Sequence, residues 1–182
     1  MRIGLFGGSF DPPHLGHVMG AAYALSMGQL DALWVLPTYK HAYAKEMAEF
    51  EVRMKMCQQA FGILRQVMVL RFELNNLSGH TVELVGILKA GRPDDTFVLI
   101  VGSDCVQDCE NWHRWLDLEK MVEVLEVPRG GYSSSSPLPE ISSTQVRELV
   151  ASGDEAAMRK LVPHEVVKTL QERNLYRASK KS

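Results

Sequence analysis

The run Met1-Arg-Ile-Gly-Leu-Phe-Gly-Gly-Ser-Phe-Asp-Pro-Pro-His-Leu-Gly-His17 decides how the rest of the chain is read. Residues 3–6 are apolar and few, which fits one buried strand of a parallel sheet. Gly7 and Gly8 follow at once, so the backbone can turn tightly and approach a ligand. Pro12 and Pro13 keep the next residues extended and stop the strand from running on. A helical pattern then covers 15–27, and His14 and His17, three residues apart, share one face of its first turn. Unpaired N–H groups and the positive dipole end favour an anion there, and two imidazoles add donors. Gly16 removes a side chain between the histidines, so a bulky ligand can lie against the backbone. Strand, glycine turn and paired histidines at a helix start describe a phosphate site. It is neither the G-x-x-x-x-G-K-[ST] loop nor the G-x-G-x-x-G fingerprint.

Outward from this stretch, strands and helices alternate. Residues 32–36 read as a second buried strand closed by Pro37, so strand, helix and strand make a right-handed unit with parallel strands. A polar loop at 38–49 holds Lys40, His41 and Lys45. An amphipathic helix follows over 51–64, with Val52, Met56, Ala60 and Ile63 on one side and Arg53 and Lys55 off that stripe. Strands are expected at 67–70, 96–101 and 122–127, and helices at 81–90, 118–121 and 163–172. Gly102, Ser103 and Asp104 follow the strand at 96–101, at the carboxyl edge where doubly wound sheets bind ligands. The Gly/Ser/Pro-rich stretch 129–139, with four consecutive serines, suggests mobility. Ser142 with Gln145 fits a capping box opening a helix, and the hydroxyls there with Arg147 one turn in make a second anion site.

The pattern therefore predicts an α/β fold, a Rossmann-like doubly wound parallel sheet with a small helical C-terminal region. Residues 1–176 read as a single domain, and 177–182 as a basic tail that frays. A chain of 182 residues with 46% hydrophobic and 23% charged content suits one globular domain. A net charge of −2 gives no reason to expect nucleic acid as a partner. No apolar run is long enough for a membrane span and no charged-then-apolar leader opens the chain, so the expected location is the cytoplasm. Three cysteines argue against a disulfide framework. Cys105, Cys109 and His113 would share a face if their segment were one helix, but a fourth zinc ligand is not evident.

The two anion sites, at 7–17 and 142–147, both open helices and could face one carboxyl edge. Phosphates of a nucleoside triphosphate would then be held from two sides, an arrangement for phosphoryl or nucleotidyl transfer by positioning and charge stabilisation. The spacing by itself names no substrate.

Gly-Gly-Ser-Phe-Asp-Pro-Pro-His-Leu-Gly-His17 resembles the signature of the HxGH nucleotidyltransferases, and specifically of the nicotinate-nucleotide adenylyltransferases. The resemblance covers nearly the whole chain. Gly102-Ser-Asp104 is similar to the family's G-x-D after the fourth strand, and Trp112 to the tryptophan that follows it. Val127-Pro-Arg-Gly130 resembles V-x-R-x-G, and Ile141-Ser-Ser-Thr-Gln-Val-Arg147 resembles ISSTxIR. Leu161-Val-Pro163 through Leu175-Tyr176 resembles the family's C-terminal pattern.

What the resemblance implies is transfer of the AMP moiety of ATP to nicotinate mononucleotide, giving deamido-NAD and pyrophosphate, with Mg²⁺ held mainly by ATP phosphates and water. It implies that His14 and His17 contact the phosphates, with Lys45 and Arg147 completing the catalytic set. Gly7, Gly8, Ser9 and Phe10 would meet ATP near its junction with the acceptor, and Ser142, Ser143 and Thr144 would hold the triphosphate. Asp104 would contact ribose hydroxyls, which an acceptor-only carboxylate suits. Trp112 would stack on the pyridine ring, with Thr81, His80 and His113 around the acceptor. The family's Pro-Pro-His-Lys run appears here as Lys40-His41-Ala42-Tyr43-Ala44-Lys45, and its Ser-Tyr-Thr run as Ser78-Gly79-His80-Thr81. Both departures lie in the acceptor half. They leave open nicotinamide mononucleotide or another phosphorylated or phosphonate acceptor, and the residues alone also admit a non-catalytic nucleotide-binding module.

Overall fold

The computed structural model describes residues 1–40, 46–106, 108–128 and 138–177. Lys45, His41, the stretch 129–137 and the end of the basic tail, 178–182, lie outside the described residues. The chain runs β1 (Arg2–Gly8), α1 (Leu15–Met27), β2 (Ala32–Pro37), α2 (Phe50–Phe61), β3 (Val67–Val69), a 3₁₀ turn (Phe72–Asn75), α3 (Thr81–Gly91) and β4 (Thr96–Gly102). It continues with α4 (Ser103–Val106), a second 3₁₀ turn (Cys109–Asn111), α5 (Trp115–Leu118), β5 (Glu123–Val127), α6 (Ser143–Ser152), α7 (Glu155–Met158) and α8 (His164–Glu172).

The five strands form one sheet in the order β3-β2-β1-β4-β5, and every neighbouring pair is parallel. The central strands β1, β2 and β4 are covered on both faces, alternate side chains pointing to opposite sides, whereas the edge strands β3 and β5 are partly exposed. Leu33 and Val35 of β2 and Val98 and Ile100 of β4 face α1, α2, α6 and α8, meeting Ala21, Met56, Val146 and Val166. Trp34, Leu36, Phe97 and Leu99 point the other way, onto Val82, Val85 and Leu88 of α3 and Leu118 of α5. This is the Rossmann-like, doubly wound α/β sheet that the alternating pattern predicts. The C-terminal helices are not an appendix to it: α6 and α8 complete the core of one face.

Several local expectations need correction. The apolar stripe of α2 stops early, because the helix ends at Phe61 with Gly62 as its cap, and Ile63 beyond it is 76% exposed. Arg53, expected off the stripe, is 1% exposed. Its guanidinium donates from Nε to the Ala48 carbonyl at 2.8 Å and from Nη1 to the Ser9 carbonyl at 2.9 Å, which makes burial tolerable. The helix expected at 118–121 lies one turn earlier, because Leu118 is the position that reaches the core. Cys105, Cys109 and His113 do not share a helix face: α4 ends at Val106, and Cys109 is buried while Cys105 is exposed. Among the described residues no group of three or more His, Cys, Asp or Glu could hold a metal, and no helix is long and apolar enough to cross a membrane.

If α8 belongs to the core, trimming it must be felt globally. Leu170, almost fully buried against the sheet face beside α2, is the probe. Leu170→Ala should lower unfolding free energy by about 2–5 kcal/mol in urea titrations, the usual cost of such a cavity. A loss below about 1 kcal/mol would mean that α8 unfolds separately.

Candidate active site

A cleft of about 590 Å³ opens beyond the carboxyl ends of β1 and β4. These adjacent strands are the switch point of the sheet: the chain leaves β1 toward β2 on one side, whereas β4 lies on the other. Loops diverge there and leave a crevice. Of the residues expected at a site, Gly7, Gly8, Ser9, His14, His17, His80, Thr81, Asp104, Trp112, His113, Ser142, Ser143, Thr144 and Arg147 all line this cleft.

His14 is the N-cap of α1, and its backbone N–H donates to Nδ1 of His17 at 3.2 Å. A nitrogen that accepts this bond carries no proton, so neutral His17 is a donor through Nε2. The two rings stack with centroids 3.7 Å apart. Gly16 is required by this geometry, since a Cβ there would come within 3.0 Å of His14 Nδ1. The missing side chain thus makes room for the imidazole as well as for a ligand.

Phe10 does not fit its expected place. Its side chain is 1% exposed, lies outside the cleft lining, and packs edge-on against His17 at 4.9 Å and Phe61 at 5.8 Å. It supports His17 from below, and Gly8 leaves room for the ring, which a Cβ there would crowd at 3.3 Å. The apolar character of Phe10 signalled this burial more faithfully than its neighbours in the motif did.

The two anion-binding helix starts meet in space. Arg147 of α6 donates from Nη1 to the Asp11 carbonyl at 2.8 Å and from Nη2 to Thr144 Oγ1 at 3.0 Å. Ser143 Oγ donates to the Pro12 carbonyl at 2.9 Å. Ser142 caps α6 by accepting from the Gln145 N–H at 3.1 Å, as its spacing predicts. Two helix N-termini, two imidazoles and a guanidinium therefore surround one end of the cleft, a setting for a polyanion. Asp104, in the first turn of α4, sits on the wall beside β4.

The other end is built from local turns. His80 caps α3, its N–H donates to Ser78 Oγ at 3.1 Å, and its carbonyl accepts from Asn76 Nδ2 at 3.2 Å. The His80 and His113 rings stack at 4.3 Å, and Trp112 meets Trp115 edge-on at 6.2 Å. Arg114, at φ +54°, pairs with Asp117 and reaches Glu83 of α3 at 3.3 Å, tying the tryptophan turn to that helix.

Glu73 was missed by sequence reasoning, since an acidic residue in a short polar loop gives no signal. It is buried on the cleft wall, where Asn76 Nδ2 donates to its Oε2 at 3.0 Å. Burial pushes its carboxyl up to about 7 from an ordinary 4.5, with the Asn76 bond pulling the other way. The folded protein therefore holds this proton more tightly than the unfolded chain does. The resulting stability is full below about pH 4.5 and is lost as pH rises through about 7. Glu73→Gln carries no such dependence, so wild type should lose on the order of 3 kcal/mol relative to the variant between pH 4.5 and 8. Urea titrations of both proteins across that range test this, and a pH-independent difference would refute it.

Comparison with known proteins places the chain in a family. The cytidylyltransferase-like family model matches residues 5–149. "Probable nicotinate-nucleotide adenylyltransferase" of Anaeromyxobacter sp. (strain K) is 38% identical, over 97% of this chain and 97% of its own. The protein of that name in Myxococcus xanthus is 35% identical over 97% and 95%, and that in Geobacillus thermodenitrificans 34% over 97% and 87%. Among solved structures, Plasmodium falciparum nicotinic acid mononucleotide adenylyltransferase complexed with NaAD superposes with a TM-score of 0.85. It is 21% identical, covering 96% of this chain and 97% of that one, so it speaks for the fold. Matched from end to end and built on the same sheet, the chain belongs to the nicotinate-nucleotide adenylyltransferase family, within the cytidylyltransferase-like nucleotidyltransferases.

Proposed function

We propose that this protein transfers the adenylyl group of ATP to nicotinate mononucleotide, giving deamido-NAD and pyrophosphate in NAD biosynthesis. The observation that carries the reading is the joining of two distant helix starts, α1 and α6, through Arg147 and Ser143 across one end of the cleft. Such a site grips a triphosphate from two sides and leaves its α-phosphorus facing the other half of the cleft. A 5′-phosphate oxygen of the mononucleotide attacks that phosphorus in line. The new P–O bond forms as the bond to the bridging oxygen breaks, and pyrophosphate leaves with the electron pair. No covalent enzyme intermediate is needed.

His17, through Nε2–H, and His14 stabilise charge on the phosphoryl oxygens, and Arg147 with Ser142, Ser143 and Thr144 holds the triphosphate. Gly7, Gly8 and Ser9 let the nucleotide approach the end of β1. Lys45 is assigned to the phosphates by its place in the sequence. Asp104 receives ribose hydroxyls, and Trp112 stacks on the pyridine ring. The Phe10 side chain supports His17. Mg²⁺ would accompany ATP, held mainly by phosphate oxygens and water, and would neutralise triphosphate charge. Residues 1–176 act as one catalytic unit, and we place the reaction in the cytoplasm, where ATP is supplied.

At the acceptor end, the start of α3 offers N–H groups and the Thr81 hydroxyl. Donors suit the nicotinate carboxylate, whereas the NH₂ of the nicotinamide nucleotide would face them unpaired at roughly 1–3 kcal/mol. The acid should therefore be preferred about ten- to a hundred-fold in kcat/KM. Assays with both mononucleotides, in wild type and in Thr81→Ala, measure this, and a wild-type ratio near one would defeat the choice of acceptor alone.

His17→Ala should lower turnover by on the order of 10²-fold or more while leaving the fold intact, the size expected for one lost transition-state donor. Near-normal turnover at saturating substrates would remove His17 from the chemistry. Arg147→Lys keeps the charge but loses the planar fork, so KM for ATP should rise with that for the acceptor little changed. Equal losses for both substrates would contradict the assignment.

A further inference from the structure

Asp11 and Glu73 are the buried carboxylates among the described residues, and Asp11 has no role in the scheme above. Asp11 sits in the phosphate loop between Phe10 and the prolines, and is 3% exposed. Its Oδ1 accepts from the hydroxyl of Tyr176 and from the Ala48 N–H at 3.1 Å. Its carbonyl accepts from Arg147 at 2.8 Å. Arg53 completes the hub, donating to the carbonyls of Ser9 and Ala48 and contributing a favourable charge beside Asp11. One carboxylate oxygen thus ties together the phosphate loop, the segment that leads into α2, and the end of the chain.

The terminal contact is built by the way α8 stops. Asn174 takes a left-handed conformation at φ +49°, the Leu175 N–H returns to the Leu170 carbonyl at 3.1 Å, and the Asn174 N–H returns to Gln171 at 3.2 Å. This is a Schellman ending, which reverses the chain sharply. Leu175 and the Tyr176 ring then pack on the core that α8 itself completes. Tyr176 is also at positive φ, +57°. Burial and the bond to Asp11 both raise the phenol well above its ordinary value, so it is a donor at all working pH values.

We propose that Tyr176 is a positioning residue of the active site, which acts through Asp11 to hold the Ser9–His14 backbone in register with Arg147 and the start of α2. The C-terminal segment would then be part of the apparatus that grips ATP. This rests on the adenylyl-transfer reading for its effect on turnover, but its effect on MgATP binding does not depend on the acceptor.

Tyr176→Phe keeps the ring and removes only the donor. We expect kcat to fall about ten- to a hundred-fold, the worth of one hydrogen bond to a charged group. MgATP affinity by titration calorimetry should fall several-fold, with KM for nicotinate mononucleotide within about twofold of wild type. Circular dichroism and a melting curve fix the assay temperature well below unfolding, so that a merely structural loss does not lower kcat per folded molecule. Asp11→Ala removes the acceptor and supplies the second arm: if Tyr176 acts through Asp11, the double variant should have the kcat of Asp11→Ala alone. Multiplying losses, unchanged MgATP affinity, or an equal rise in acceptor KM would each overturn the proposal. A wild type that binds MgATP but releases no pyrophosphate with either mononucleotide would refute the adenylyl-transfer reading instead, and the calorimetric comparison would still decide the role of Tyr176.

Discussion

The rest of the structure depends on β1 being hydrogen-bonded on both sides by parallel strands, β2 from Ile3 to Gly8 and β4 from Arg2 to Leu5. A strand in that position has no free edge and two covered faces, so it must be apolar, and its following loop has nowhere to go but the end of the sheet. Because the chain winds outward through β2 and β3 and then returns to the other side of β1, the turns after β1 and β4 are pushed apart. The cleft is a consequence of that reversal. Its chemistry is then set by which residues stand at the two turns and at the helix starts facing them.

Much of the fold was legible because local and tertiary signals agree. Short continuous apolar runs marked the five strands, and the i, i+3 hydroxyl-to-amide spacing at Ser142 marked the start of α6. What could not be read depends on contacts between distant segments. Arg53 looks like a surface residue in any local window, and only the carbonyls of Ser9 and Ala48 explain why it is buried. Phe10 was placed by its position in a motif, whereas its apolar surface drives it into the core beneath His17. Glu73 gave no signal, since its burial follows from how the turn before α3 folds over it. The 3₁₀ turns and the one-turn helices carry too few residues for periodicity to register.

The histidine pair shows why a short motif can be so specific. His14 must cap α1 with its backbone N–H turned to His17, which fixes the proton of neutral His17 on Nε2. Stacked rings demand that the residue between them lack a Cβ, and the aromatic below must be flat enough to support His17 without entering the cleft. Each residue of the motif answers a separate constraint: backbone approach, ring packing, cap geometry and donor orientation. Such constraints are rarely met together by chance, so the motif carried more of the site than composition or charge did.

The two ends of the cleft are constructed differently, and this bears on how the site can vary. The end proposed to hold the phosphates is cross-linked by bonds between residues more than a hundred positions apart, Arg147 to Asp11 and Ser143 to Pro12. A substitution there disturbs several segments at once and has few tolerable outcomes. At the end proposed for the acceptor, most bonds are local: Glu73, Asn76, Ser78 and His80 bond among themselves, with the His80–His113 stack and the Arg114–Glu83 pair as the longer links. A side chain on such a turn can change with little effect on the rest of the sheet. His80, where the sequence is expected to depart from its relatives, falls at that end. Polyphosphate binding needs many converging donors and so resists change, whereas recognition of one ring substituent needs two or three contacts. On the proposed reading, the more locally built end is the one that meets the acceptor, so a change of acceptor choice would disturb the phosphate contacts least.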